Sequence, residues 1–121
     1  MYIRCITIGA IALALAGCRP EFDNTTQYMM EAQQALANGD QNAAIEKYTA
    51  AIESSSDPTA YFERARLYAD LGRLEEATAD CNKAKELGYK AADVDWLSKQ
   101  IQRPEAQRFR GPQALPPSHN K

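Results

Sequence analysis

Apolar and polar residues are patterned differently in three parts of the chain. Residues 6–16 contain no charged side chain and consist mainly of Ile, Leu and Ala. From about residue 25 to residue 103, apolar residues recur every three or four positions between polar ones, which is the period of helices that bury one face. From Pro104 onward this period disappears. The pattern predicts an apolar leader, a helical middle and a tail without regular structure.

The helical part repeats at a separation of 33 residues. Aligned with itself at this offset, the chain superposes like residues: Tyr28 with Tyr61, Ala32 with Ala65, Gly39 with Gly72, Ala44 with Ala77, Tyr48 with Cys81 and Ala51 with Ala84. A fixed period of this length indicates stacked helix–turn–helix units. We therefore expect four helices, at about residues 25–38, 41–54, 58–71 and 74–87.

Helix starts and stops are marked by residues with the required chemistry. Gly39 and Gly72 lie between the two helices of each unit, where a left-handed residue ends the first helix. Asp40 is placed to cap the next helix, and Asp57 followed by Pro58 is a typical helix start. These signals support the predicted helix boundaries.

The repeated positions resemble the tetratricopeptide repeat family, whose helical units are about 34 residues long. The second unit matches the family pattern well through its small and aromatic residues: Ala65, Tyr68, Leu71, Gly72, Ala77 and Ala84. The first unit matches less completely. The resemblance implies an all-α fold, a short α-solenoid, with two such units at residues 25–88. The alternative is an unrelated pair of alanine-rich helical hairpins.

Two units need a further helix to cover the open end of the array. In residues 89–103, Val94, Leu97 and Ile101 recur at helical spacing. We predict a C-terminal capping helix there. Residues 104–121 carry Gly-Pro and Pro-Pro pairs, so we expect a disordered tail.

The leader, residues 1–17, has a short basic start and an apolar stretch that is too short to span a bilayer. It ends in a run that resembles the lipobox of bacterial lipoproteins: Leu15, Ala16, Gly17 and Cys18. The resemblance implies cleavage before Cys18, covalent lipid on its thiol and a tether over residues 18–24. An ordinary secretory signal or a buried hydrophobic helix is the alternative.

Arg19 follows the expected lipidation site, whereas an aspartate there commonly retains lipoproteins in the inner membrane. In a host with two membranes, the resemblance to lipoproteins therefore implies the periplasmic face of the outer membrane. Removal of Arg4 with the leader changes the formal net charge from −2 to −3. This balance argues against nucleic acid as a partner.

Catalytic chemistry finds no support in the sequence. The one histidine, His119, lies in the predicted tail, where it cannot join a packed acid–base or metal site. Glu75 and Glu76 suit the first turn of a helix. Cys81 would be the one thiol left in a lipidated chain, and we interpret it as a small buried residue, with an intermolecular disulfide as the alternative. We expect a non-enzymatic protein without a metal or cofactor.

In the tetratricopeptide family, the first helices of successive units line a concave peptide-binding groove. The groove positions carry over to six residues of this chain: Met29, Gln33, Leu36, Phe62, Arg66 and Ala69. Most are apolar, so the expected partner is an apolar or amphipathic segment, with Arg66 orienting an acidic group. Alternatively, the tether, the tail or a second copy of the chain covers these side chains.

These features predict a membrane-anchored adaptor that holds another envelope protein. Small lipoproteins that assist pilus, secretin or secretion-system assembly act in this manner. The alternative is a structural or regulatory subunit of an outer-membrane or peptidoglycan-associated complex.

Overall fold

The structure is a computed structural model that describes residues 24–111 and 114–119. The predicted leader, the lipobox with Cys18 and nearly all of the tether lie outside the described residues. The described part contains five α-helices and short 3₁₀ turns, without a strand. The helices are α1 (Asn24–Ala37), α2 (Gln41–Ser55), α3 (Pro58–Asp70), α4 (Leu74–Glu86) and α5 (Ala91–Ile101), and two 3₁₀ turns follow at Glu105–Gln107 and Pro117–His119.

The turns between helices have the predicted chemistry. Asp40 Oδ1 accepts a hydrogen bond from the Ala43 amide at 2.9 Å and so caps α2. Asp57 Oδ1 accepts from the Thr59 amide at 2.7 Å at the start of α3. Gly72 has a φ of +76° between α3 and α4, a left-handed conformation that residues with a Cβ adopt at a cost.

Helices α1 and α2 form one antiparallel pair, and α3 and α4 form the next. Alanines let the helices approach closely: Ala32, Ala44, Ala51 and Ala60 are fully buried in the first core cluster. Tyr48 fills the space beside them with 1% of its surface exposed. Small and large residues thus alternate within one packed layer. Helix α2 also contacts α3, so the two pairs stack as an all-α solenoid, as predicted.

Helix α5 covers the open end of the second pair. Its Val94 and Leu97 are buried in a second core cluster, together with Ala77, Cys81 and Ala84 of α4. None of the described helices combines the length and the apolar character needed to cross a bilayer.

The C-terminal segment differs from the disordered tail that the sequence predicts for residues 104–121. Pro116 is buried, and Phe109 packs against the second core cluster. The Ser118 amide donates a hydrogen bond to Asp93 Oδ1 at 3.0 Å. Two isolated apolar residues, Phe109 and Pro116, and the backbone amides of Phe109 and Ser118 hold the segment. Such contacts have no helical or strand period, so the sequence pattern could not predict them.

Candidate functional site

A cavity of about 230 Å³ opens on the face where the first helices of the two pairs meet. Helix α1 contributes one apolar side chain, α3 contributes both charged and apolar side chains, and the C-terminal segment closes one side. The lining residues are Leu36, Glu63, Arg66, Leu67, Asp70 and Phe109. The cavity can accept one apolar side chain of a bound segment, and carboxylates lie at its rim.

Charge in the cavity is partly neutralised within the chain. Arg66 Nη1 forms an ion pair with Glu63 Oε2 at 2.9 Å, and the Arg66 guanidinium lies 5.9 Å from the centroid of the Trp96 ring. Asp70 accepts a hydrogen bond from the side chain of Gln41 on α2. Because Arg66 is already paired with Glu63, we no longer expect Arg66 to orient an acidic group of a partner. Two carboxylates and one guanidinium leave the cavity with an acidic balance.

Two tyrosines near this face, buried Tyr48 and half-buried Tyr89, are neutral. Burial raises the pKa of Tyr48 to about 12, with the negative field of Glu63 adding to the effect and Arg66 opposing it. Burial and Glu63 likewise raise the pKa of Tyr89 to about 12. Both phenols therefore remain protonated at physiological pH, and they supply packing rather than charge to this side of the molecule.

The structure distributes the six predicted groove residues over four environments. Leu36 and Arg66 line the cavity, as the resemblance implied. Met29 is half-buried against the first core cluster, and Gln33 is exposed on α1.

Phe62 and Ala69 differ from the prediction, because both are fully enclosed in the second core cluster. The ring of Tyr89 stacks on Phe62 with centroids 4.4 Å apart and covers the face that would otherwise meet a partner. These two residues support the groove from below and are not part of its surface.

Sequence reasoning missed Glu63, Leu67 and Asp70, although their spacing carries the signal. Together with Arg66 they follow the i, i+3, i+4, i+7 spacing of one helical face. This spacing alone could have placed them beside Arg66. Phe109 was missed because it lies in the segment predicted to be disordered.

Chemistry other than binding has little support in the described residues. No group of three or more His, Cys, Asp or Glu side chains in residues 24–111 and 114–119 is arranged to hold a metal ion. His119 is exposed at the last described turn. Cys81 is buried, its thiol donates to the Val94 carbonyl oxygen at 3.7 Å, and burial raises its pKa. Cys81 is therefore an inert core residue in the folded chain.

Comparison with known proteins agrees with the helical geometry. Residues 58–87, which cover α3 and α4, match the tetratricopeptide repeat family model. This pair is therefore similar to one tetratricopeptide repeat. The α1–α2 pair has the same helix–turn–helix form, with a left-handed glycine at the corresponding turn. The tetratricopeptide fold accounts for the alanine-lined helix contacts and for the concave face.

A tetratricopeptide repeat and J domain-containing co-chaperone of Fusarium oxysporum f. sp. lycopersici is 42% identical over 71 residues. The match covers 54% of this chain but only 13% of the fungal protein, so this chain spans only a small part of that relative's length. No solved structure matches the chain significantly. Tetratricopeptide repeats generally mediate protein–protein interaction, and residues 58–87 of this chain match one such repeat.

Proposed function

We propose that this chain is a non-catalytic adaptor that holds a segment of another envelope protein on its concave face, while a lipid on Cys18 keeps it at the membrane. The main observation in support of this proposal is the cavity of about 230 Å³ on the face shared by α1 and α3. Its apolar walls, Leu36 and Leu67, suit an apolar side chain of the captured segment.

The size of the face supports a single client rather than several. The described helices present a cavity between α1 and α3, lined in part by Arg66 and Glu63. A helix or an extended segment that inserts one apolar anchor fits this arrangement. The likeness to the repeat region of a co-chaperone supports a role in contacting other proteins.

The lipid anchor rests on sequence alone. Leu15, Ala16, Gly17 and Cys18 resemble a lipobox, and Arg19 follows the cysteine. Two or more acyl chains on Cys18 hold a protein stably at a bilayer. A tether of only a few residues then keeps α1 close to the membrane, which suits a helper of envelope assembly such as that of a pilus, a secretin or a secretion system.

The anchor is tested by the intact mass of the chain extracted from bacterial membranes. We expect a chain that begins at Cys18 and carries acyl groups, and a Cys18→Ala variant without them. An unmodified wild-type chain in the soluble fraction would refute the anchor.

The adaptor role is tested by site-specific photo-crosslinking in the native membrane. A photoreactive residue replaces exposed Gln33 on the groove face of α1, and a matched control replaces exposed Lys85 on α4. We expect one crosslinked protein from position 33 that position 85 does not capture. The same crosslinks from both positions would contradict a specific client on the concave face.

A further inference from the structure

The C-terminal segment already occupies part of the concave face. Phe109 lines the cavity, and its ring centroid lies 5.7 Å from that of Trp96 on α5. The Phe109 amide donates a hydrogen bond to Gln100 Oε1 at 3.0 Å. Farther along, the Ser118 amide donates to Asp93 Oδ1 at 3.0 Å. An aromatic anchor and two backbone hydrogen bonds are the contacts expected of a bound peptide.

This contact leaves polar groups unsatisfied. In the described residues, the buried side-chain polar atoms without a hydrogen-bond partner are Arg66 Nε, Asp93 Oδ2 and Arg108 Nε. Arg66 borders the cavity beside Phe109, Asp93 binds the segment through its other oxygen, and Arg108 precedes Phe109 in the chain. All three therefore lie where the segment meets α3 and α5. A buried polar atom without a partner weakens the contact that buries it.

The backbone of Phe109 is also strained. Its φ is +51°, in the left-handed region that a residue with a bulky side chain rarely adopts. Such a conformation persists only where the surrounding contacts impose it. Docking of the Phe109 ring beside Trp96 thus works against local backbone preference, while α1 to α4 remain regular helices.

We infer that the C-terminal segment, described at residues 104–111 and 114–119, is displaceable, and that a basic segment of another protein with an aromatic anchor replaces Phe109 on the concave face. The segment itself indicates the chemistry, because Arg108 and Arg110 flank Phe109. The cavity wall opposite carries the carboxylates of Glu63 and Asp70. This inference rests on the proposed function and adds the partner class and its control.

A tethered occupant lowers the affinity for a competitor without changing the site. If the segment is seated nine times in ten, only about one molecule in ten can bind, and the apparent affinity falls about tenfold. Release of the segment reverses the about tenfold loss of apparent affinity. The single tryptophan, Trp96, lies beside Phe109, so its emission reports whether the segment is seated.

The test measures binding of a fluorescent synthetic peptide with the sequence of residues 104–119 to the purified full chain. We expect weak binding to the wild type and at least about tenfold tighter binding to a Phe109→Ala chain, because the variant loses its own anchor. A Leu115→Ala chain is the matched control, since Leu115 lies in the same segment and is 52% exposed. It should bind the peptide as weakly as the wild type does.

The peptide needs a control of its own. A peptide with alanine in place of Phe109 should not bind the Phe109→Ala chain. Binding of both peptides alike would overturn the inference, because it would mean that the aromatic anchor does not direct the contact. A folded Phe109→Ala chain with no gain in affinity would overturn it as well, since the segment would then be a structural cover only.

Hydrogen exchange on the wild-type chain decides the matter if Phe109→Ala fails to fold. The amides of Phe109 and Ser118 should exchange at least about tenfold faster than those at the centres of α3 and α5, because a displaceable segment opens without unfolding the repeats. Equal protection would overturn the inference. Displacement of the segment together with a failed client crosslink would refute the proposed function and the partner class, and only the displaceable contact of Phe109 would stand.

Discussion

Arg64 and Asp80 form a two-point ion pair that joins α3 to α4. Arg64 Nε lies 2.6 Å from Asp80 Oδ2, and Arg64 Nη2 lies 2.8 Å from Asp80 Oδ1. Arg64 Nη1 also donates to Thr49 Oγ1 at 3.0 Å, so the guanidinium ties α2 to the same junction. The hydrogen bond to Asp80 raises the pKa of Arg64, and the two side chains are only 15% and 9% exposed. A nearly buried pair thus joins the two helices of the second repeat, and Thr49 links it to the first.

Loss of the Asp80 carboxylate should destabilise the fold strongly. Asp80→Ala leaves the Arg64 charge buried without its partner, and we expect the free energy of unfolding to fall by about 3 kcal/mol. Urea unfolding followed by circular dichroism measures this change.

The double variant Arg64→Met with Asp80→Leu separates charge from packing. Because it removes both charges, it should recover most of the loss. Glu86→Ala is the surface control, since it breaks the exposed pair with Lys83 and should change stability little. A loss from Asp80→Ala as small as that from Glu86→Ala would contradict the buried-pair interpretation.

The left-handed turn at Gly72 should be sensitive to substitution for a backbone reason alone. A Cβ added at Gly72 meets no atom within 4 Å, so φ, at +76°, is the sole obstacle. We expect Gly72→Ala to lower the free energy of unfolding by about 1 kcal/mol. Gly72→Asn should cost less, because asparagine tolerates this conformation better. Equal losses in the two variants, measured by urea unfolding, would argue against this cause.

The repeat itself could be predicted from the sequence because its signals are local. The offset of 33 residues, the glycine turns and Asp57 before Pro58 all arise within one unit. These features determine where helices begin and end, and stacking then follows from the alanine faces. Leu36 and Arg66 of the site came instead from the groove positions that the resemblance to the tetratricopeptide family implies.

The rest of the site depends on contacts between distant parts of the chain. Phe62 occupies a position that faces a groove in longer arrays, but here Tyr89 and α5 enclose it. Phe109 reaches the cavity from a segment with no periodic pattern. A single aromatic residue among prolines and arginines does not reveal in the sequence which surface it will meet.

Substitution of Phe62 therefore tests whether its side chain belongs to the core or to the groove surface. We expect Phe62→Ala to lower the free energy of unfolding by about 3 kcal/mol, since its ring is fully buried and stacked on Tyr89. The milder Phe62→Leu should cost about 1 kcal/mol and keep the fold. Thermal and urea unfolding measure both. A Phe62→Ala chain of wild-type stability that loses only client binding would return Phe62 to the groove surface.

The raised pKa of Tyr48 predicts how stability changes at high pH. The phenol ionises near pH 10.0 in the unfolded chain but at about 12 in the folded one, because burial disfavours the phenolate. Deprotonation therefore favours the unfolded state. The contribution of Tyr48 is fully present below pH 10 and is lost progressively up to pH 12, with about 1.4 kcal/mol gone at pH 11.

Tyr48→Phe removes this one ionisation and leaves the other titrating groups unchanged. The stability of the variant relative to the wild type should therefore rise by about 1.4 kcal/mol between pH 9 and pH 11, whatever the absolute cost of losing the hydroxyl. Urea unfolding of both chains across this pH range measures the difference. A difference that stays constant with pH would mean that Tyr48 ionises alike in the folded and unfolded chains, and that its burial by α1 and α2 is less complete than the structure describes.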